Sequence, residues 1–161
     1  MNGYNANQNK ARAWGGEFSL DWLPQSWWRL RAAYSHLRVK GERTNDTLGN
    51  TQVDYFENSA PRHQVLFNNN FSLAHDLNLD VRLRRNSSTA HYLINSRVLT
   101  AVPAYTGLDM RLGWQAQRHT EISVSGRNLL KSRHTEFINM MPSMAVYDVH
   151  RSLLIQAVMR Y

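Results

Sequence analysis

The sequence predicts an all-β chain: an antiparallel, up-and-down segment of a transmembrane β-barrel with about seven strands. Three observations predict it. Apolar residues recur at every second position through long runs, the connections between runs alternate short and long, and aromatic residues gather at two levels on the apolar face. A period of two puts one set of side chains on each face of a strand. Tight turns at one end, long loops at the other and two aromatic girdles are the pattern of an outer-membrane barrel.

The first strand is expected over 10–23, with Trp14, Gly16, Phe18, Leu20 and Trp22 on one face and Gly15, Glu17, Ser19 and Asp21 on the other. Pro24 ends it. The second, 26–40, sets Trp28, Leu30, Ala32 and Tyr34 against Arg29, Arg31, Ala33 and Ser35; Gly41 to Ala60 then reads as a polar loop. The third, 61–73, carries Val65, Phe67, Phe71 and Leu73 on the apolar side, where Asn69 interrupts the row. After a short turn the fourth, 77–86, alternates Leu77, Leu79, Val81 and Leu83 with Asn78, Asp80, Arg82 and Arg84. The fifth, 104–116, has Leu108, Met110, Leu112 and Trp114 opposite Asp109, Arg111 and Gly113. The sixth, 120–130, and the seventh, 146–161, complete the set, the last with Val149, Leu153, Ile155, Ala157, Met159 and Tyr161 in one row.

Membrane-interface aromatics follow from that alternation. Trp22, Trp28, Phe71, Trp114 and Tyr161 lie near the short turns or the C-terminus, and Trp14 lies eight residues before Trp22 on its strand. That spacing is on the order of 20 Å along the membrane normal for a strand tilted by about 40°. The opposite face carries Glu17, Asp21, Arg29, Arg31, Asp80, Arg82, Arg84, Asp109, Arg111, Arg127 and Arg160, a charged wall suited to a wide lumen.

Composition narrows the function classes. The 161 residues are 42% hydrophobic and 19% charged, which excludes global disorder. Apolar stretches fall far short of the roughly 18 residues of a membrane-spanning helix. The formal charge of +7 is spread along alternating strands and not clustered, so nucleic acid is not expected as a partner. With no Cys, thiolate metal sites and Cys nucleophiles are excluded. His134-Thr135-Glu136 lacks the spacing of a zinc hydrolase, and Ser123 and Ser125 lie on a strand and not on a nucleophile elbow. No catalytic residue, metal or cofactor is therefore assigned, and the protein is not expected to be an enzyme.

Four stretches carry a family resemblance: Gly16-Glu17-Phe18 followed by Trp22-Leu23-Pro24; Pro61-Arg62-His63; Leu108 to Trp114; and Gly126-Arg127-Asn128-Leu129-Leu130 with His134-Thr135-Glu136-Phe137. With them the chain resembles the C-terminal third of a TonB-dependent outer-membrane receptor. The resemblance implies a place in a barrel of about 22 strands, residence in the bacterial outer membrane, and transport of an iron-siderophore or similar scarce nutrient when complete. It implies residues 10–161 as barrel strands after a polar segment 1–9, with the signal peptide and plug lying outside this sequence, a truncated gene or fragment. TonB would be contacted through those N-terminal regions. The partners implied are membrane lipid, an iron chelate and the barrel-assembly machinery, the last through the strand ending at Tyr161. A second reading is a stand-alone small β-barrel or lectin-like β-sheet binding protein.

The lumen-facing arginines read as ion-pair partners of carboxylates such as Asp80 and Asp109 across the sheet. Ligand contacts are expected from the long loops, where Tyr55, Phe56, His91, Tyr92, Tyr105, Met140 and Met141 are the large residues; loop packing is the other reading of these. Tyr161→Asp in the membrane-inserted protein should sharply lower its outer-membrane level on an immunoblot of membrane fractions, because the aromatic ring anchors the last strand at the interface. On sequence grounds the same change at Asn128 is expected to do much less, and equal levels for Tyr161→Asp and wild type would remove the assembly role.

Overall fold

The computed structural model describes residues 9–43, 57–73, 76–92, 99–138 and 146–160. Residues 1–8 lie outside them, as do Tyr55, Phe56, Met140, Met141 and Tyr161 among the residues singled out above. Alternating sequence becomes strand throughout: β1 (Asn9–Gln25), β2 (Trp28–Arg43), β3 (His63–Leu73), β4 (Leu77–Asn86), β5 (Thr89–Tyr92), β6 (Leu99–Val102), β7 (Tyr105–Gln117), β8 (Thr120–Arg127), β9 (Arg133–Ile138), β10 (Val146–His150) and β11 (Ser152–Met159).

Seven of these form one sheet in the order β1-β2-β3-β4-β7-β8-β11, each pair antiparallel. The sheet is open, with β1 and β11 at its margins. The expected up-and-down order holds, and the short connections 26–27 and 118–119 lie at one end. Pro24 cannot donate to the ladder, and the register slips between Trp22 and Gln25 as β1 enters its turn. The Trp27 carbonyl there accepts from the Ser72 amide at 2.7 Å, fixing the turn to the next hairpin. At the second short turn Asp76 has φ of 61°, a left-handed conformation that Asp tolerates better than most residues.

The structure departs from expectation at the long connections. Residues 89–102 and 133–150 hold two further two-stranded sheets, β5 with β6 and β9 with β10. The strand expected over 146–161 is therefore two strands: β10 pairs with β9, and β11 alone joins the large sheet. Arg151 separates them, its amide turned to the Ser132 carbonyl at 2.8 Å. Val149 accordingly belongs to the ribbon and not to the apolar row of Leu153, Ile155, Ala157 and Met159. Runs of four to six residues, too short to show a period, hid these strands.

Register confirms the two faces. One row runs Trp28, Phe71, Leu79, Leu112, Val124, Ile155 and the next Trp22, Leu30, Asn69, Val81, Met110, Gly126, Leu153, all by direct opposition. Asn69, the polar interruption, accepts a hydrogen bond from the Trp28 indole at 3.0 Å. Trp22, Trp27, Trp28 and Phe71 form a chain of rings 5.9–6.3 Å apart beside the first turn, and Trp14 stands at the other end. This apolar face is uncovered: Leu153 is 71% exposed, Ile155 69% and Phe18 61%. The accessible surface of 12200 Å² exceeds the roughly 8,300 Å² of a compact water-soluble monomer of this mass. A lectin-like sandwich would bury such rows under a second sheet, so the surrounding medium that satisfies them is lipid.

β1 and β2 pack so closely at Gly15 that an added Cβ would run into the His36 carbonyl oxygen, whereas at Gly16 it would meet open space. Gly15→Val should lower unfolding stability in urea, followed by tryptophan fluorescence in lipid vesicles, by about 1–3 kcal/mol. Gly16→Val should change it by less than about 0.5 kcal/mol.

Candidate functional site

The polar face presents the charges that alternation assigned to it. One register row reads Arg29, Asn70, Asp80, Arg111, Ser125, and its neighbour Asp21, Arg31, Asn68, Arg82, Asp109. Opposite charges face one another across strands, which favours this register over its neighbours. Arg29 Nε donates to Asp21 Oδ1 at 2.8 Å, diagonally within the first hairpin. Asn70 links the rows by accepting from Arg31 at 3.2 Å and donating to Asp80 at 2.7 Å. Arg82 Nε donates to Asn68 Oδ1 at 2.9 Å. Arg111 pairs with Glu121 and lies 3.8 Å from Asp80. Arg29 and Arg111 are thus held by carboxylates of strand neighbours and Arg31 and Arg82 by asparagine side chains, while Asp109 is used differently.

Asp109 accepts from the backbone amide of Asn128 at 2.9 Å. Asn128 ends β8 with φ of 52° and no solvent exposure. Its Nδ2 donates to the Val149 carbonyl at 2.9 Å, and its Oδ1 lies 3.0 Å from His134 Nδ1. His134 Nε2 lies 2.8 Å from Glu136 Oε1, the same oxygen that Arg84 Nη1 reaches at 2.8 Å. Tyr105 stacks on the His134 ring with centroids 4.3 Å apart and accepts from Asn86 Nδ2 at 2.5 Å. Gly107, opposite Arg84, is part of this fit: a Cβ there would come within 3.0 Å of Arg84 Nε. One polar knot therefore ties β4, β7 and β8 to both strands of the β9–β10 ribbon.

That knot was missed from the sequence. His134-Thr135-Glu136 lacks the spacing of a metal motif, yet on a strand the two-residue spacing puts His134 and Glu136 on one face. Glu121, near the start of β8, is a carboxylate partner of Arg111 that alternation alone does not reveal, because the two are offset along the register. The expectation that Asn128→Asp does much less than Tyr161→Asp runs against this geometry. Asp there would replace the donor facing Val149 and set a second carboxylate against Asp109, in a position where burial makes an unmatched polar group costly. The available signal was Asn following a strand's last apolar position, since Asn enters the left-handed region more readily than most residues.

Of the loop candidates, Tyr105 is described and is buried, its ring covered by His134. His91 and Tyr92 form the end of β5, at its pairing with β6. Beside Tyr105 a cleft of about 330 Å³ opens between β7 and the ribbon, lined by Lys131, Arg133, His134, Thr135 and Asp148. Asp148 accepts from Thr135 Oγ1 at 2.6 Å, while Lys131 and Arg133 are exposed at the rim. A broader depression of about 430 Å³ lies on the polar face near Glu17, Ser35, Gln64, Arg84 and Asn86.

A single-layer antiparallel sheet with a lipid-facing apolar side, a charged opposite side and ribbons at the long-loop end is the wall of an outer-membrane β-barrel. Residues 2–129 match the sequence profile described as TonB dependent receptor-like, beta-barrel, and the chain belongs to that family. No curated protein sequence matches. Among solved structures it is similar to the ferric-catecholate import receptor Fiu from E. coli K12, with TM-score 0.75 and 16% identity over 95% of this chain and 21% of that one. It is similar also to the ferric yersiniabactin uptake receptor FyuA from Yersinia pestis, with TM-score 0.72 and 20% identity over 95% of this chain and 24% of that one. The siderophore receptor PiuA from Acinetobacter baumannii gives TM-score 0.74 and 16% identity over 93% and 22%. The chain spans about a fifth of the length of these receptors. Its place is the outer membrane.

Asn128→Ala removes two hydrogen bonds and leaves the left-handed conformation without its side-chain support. It should lower unfolding stability by about 2–4 kcal/mol and raise the susceptibility of the ribbon to protease, read by mass spectrometry of the first cleavage products.

Proposed function

We propose that this sheet is part of the barrel of a TonB-dependent transporter that takes up a ferric siderophore or a similar metal chelate. The observation that carries the reading is the cationic cleft at the long-loop end of a wall belonging to the receptor family. The exposed Lys131 and Arg133 line it together with the buried Tyr105 and His134. Siderophore complexes commonly carry negative charge, and the exposed cations at the cleft rim offer both steering and ion-pair contacts. The neighbouring solved receptors are named for ferric catecholate, yersiniabactin and other siderophores, which favours an iron chelate.

On this reading TonB supplies the energy through parts of the receptor other than the barrel wall, and the wall's paired charges keep a polar lining against which a plug can sit. The β11 row from Leu153 to Met159, continued in sequence to Tyr161, is the surface through which assembly machinery would engage the last strand.

Deleting the gene should abolish iron-limited growth on the cognate ferric siderophore, with growth restored by the wild-type gene. Lys131→Glu combined with Arg133→Glu should weaken binding of that siderophore to outer-membrane vesicles by about tenfold, with more of the effect at low ionic strength. Unchanged binding would remove the cleft from the ligand path, and growth unaffected by deletion across a panel of ferric chelates would remove the transport reading.

A further inference from the structure

Beside Trp14, alternation brings two histidines together on the side of the sheet away from the lumen. His36 lies directly opposite His63 in the pairing of β2 with β3, and directly opposite Gly16 in the pairing of β1 with β2. The imidazole centroids of His36 and His63 are 4.7 Å apart. Two imidazoles on one ion, each with a metal–nitrogen bond of about 2.0–2.1 Å, set their centroids roughly 4.5–5.2 Å apart between right-angle and tetrahedral geometry. The pair is spaced to share a cation.

The surroundings of the two rings point the same way. His63 Nδ1 lies 2.9 Å from the Tyr34 hydroxyl, which comes from the same face of β2 as His36. In the tautomer that donates Nδ1–H to that oxygen, Nε2 keeps its lone pair, which is how an outer partner holds a metal-bound histidine. His36 Nδ1 is buried and has no hydrogen-bond partner among the described residues, a rare condition for a buried polar atom. The Trp14 ring centroid lies 5.2 Å from that of His36. At Gly16 an added Cβ would meet nothing within 4 Å, so the strand position beside His36 is open to an entering ion. Two neighbouring guanidinium groups are engaged elsewhere, Arg38 over the Trp14 ring and Arg62 with Asn58 Oδ1 at 3.1 Å. No cluster of three or more His, Asp or Glu side chains able to hold a metal occurs among the described residues, so the pair supplies two ligands and water the remainder.

We propose that His36 and His63 form a two-imidazole site for an exchangeable divalent transition cation, with Tyr34 as the positioning residue for His63. Imidazole ligands select Cu2+, Ni2+ or Zn2+ over Mg2+ and Ca2+, and Cu2+ should bind tightest. The consequence is mechanical: β2 and β3 follow one another in the chain, and an ion shared between His36 and His63 cross-links the base of the long connection between them. The site lies on the opposite face from the charged wall, so it stands independently of the uptake reading.

The test is titration with Cu2+ of the protein purified from outer membranes in detergent, followed by electron paramagnetic resonance and calorimetry. Wild type should show a copper centre whose hyperfine splitting reports two imidazole nitrogens, displaced by Zn2+ and not by Mg2+. His36→Gln and His63→Gln should each bind at least about tenfold more weakly, and Tyr34→Phe, which keeps both ligands, about tenfold more weakly. His119→Gln, at an exposed turn elsewhere, should bind as wild type does. The two-nitrogen signal is read on wild type, so it stands even if a variant fails to insert. A wild-type spectrum without a two-imidazole centre would overturn the proposal. So would binding undiminished in both histidine variants, or displacement by Mg2+ as readily as by Zn2+.

Discussion

Every unpaired backbone amide facing hydrocarbon costs several kcal/mol, and that single constraint organises the sheet. It requires each strand to hydrogen-bond along its length, which fixes register, and register then fixes which side chain meets lipid. Seven strands joined in unbroken antiparallel order keep this parity from β1 to β11. The side chains had to accommodate it. Asn69, on the wrong face for a polar group, is answered by the indole of Trp28, and Gly15 lets two strands approach where a side chain would collide with the backbone.

Because lipid takes the place of a core, polar chemistry has to supply the specificity that packing supplies in a water-soluble domain. Buried apolar side chains among the described residues are few, Val102, Tyr105 and Ile138, and all lie at the ribbon end. Exposed ion pairs such as Arg29 with Asp21 contribute little individually. The knot around Asn128 and His134 is different in kind: its members are buried or half-buried and share partners, so each deletion strands another polar atom. Stability that depends on the particular side chain is concentrated there, at the junction of wall and ribbon.

Most of the wall was legible in the sequence. Glu17, Asp21, Arg29, Arg31, Asp80, Arg82, Arg84, Asp109, Arg111 and Arg127 share one face by register, and Trp14, Trp22, Trp28, Phe71 and Trp114 the other. A strict period needs about four repeats to be seen, and these strands have them. The ribbons do not: β5 and β6 have four residues each, β10 five and β9 six. Nor could alternation show that Asn128 leaves the strand geometry, since its parity is that of a lipid-facing residue. Its role rests on partners at Asp109, His134 and Val149, distant in sequence and brought together by folding.

The ribbon joins the wall through two short crossings, Leu129 to Ser132 on one side and Arg151 on the other, the latter bonded to the Ser132 carbonyl. Both cut points lie side by side, and neither belongs to a strand of the large sheet. A ribbon of different length or sequence can therefore be grafted between them without altering barrel shear or strand number, provided that it brings a residue able to meet the side chain of Asn128. Changes in the ribbon and constancy of the wall are mechanically separable in such a sheet, with the side chain of Asn128 as the point of attachment.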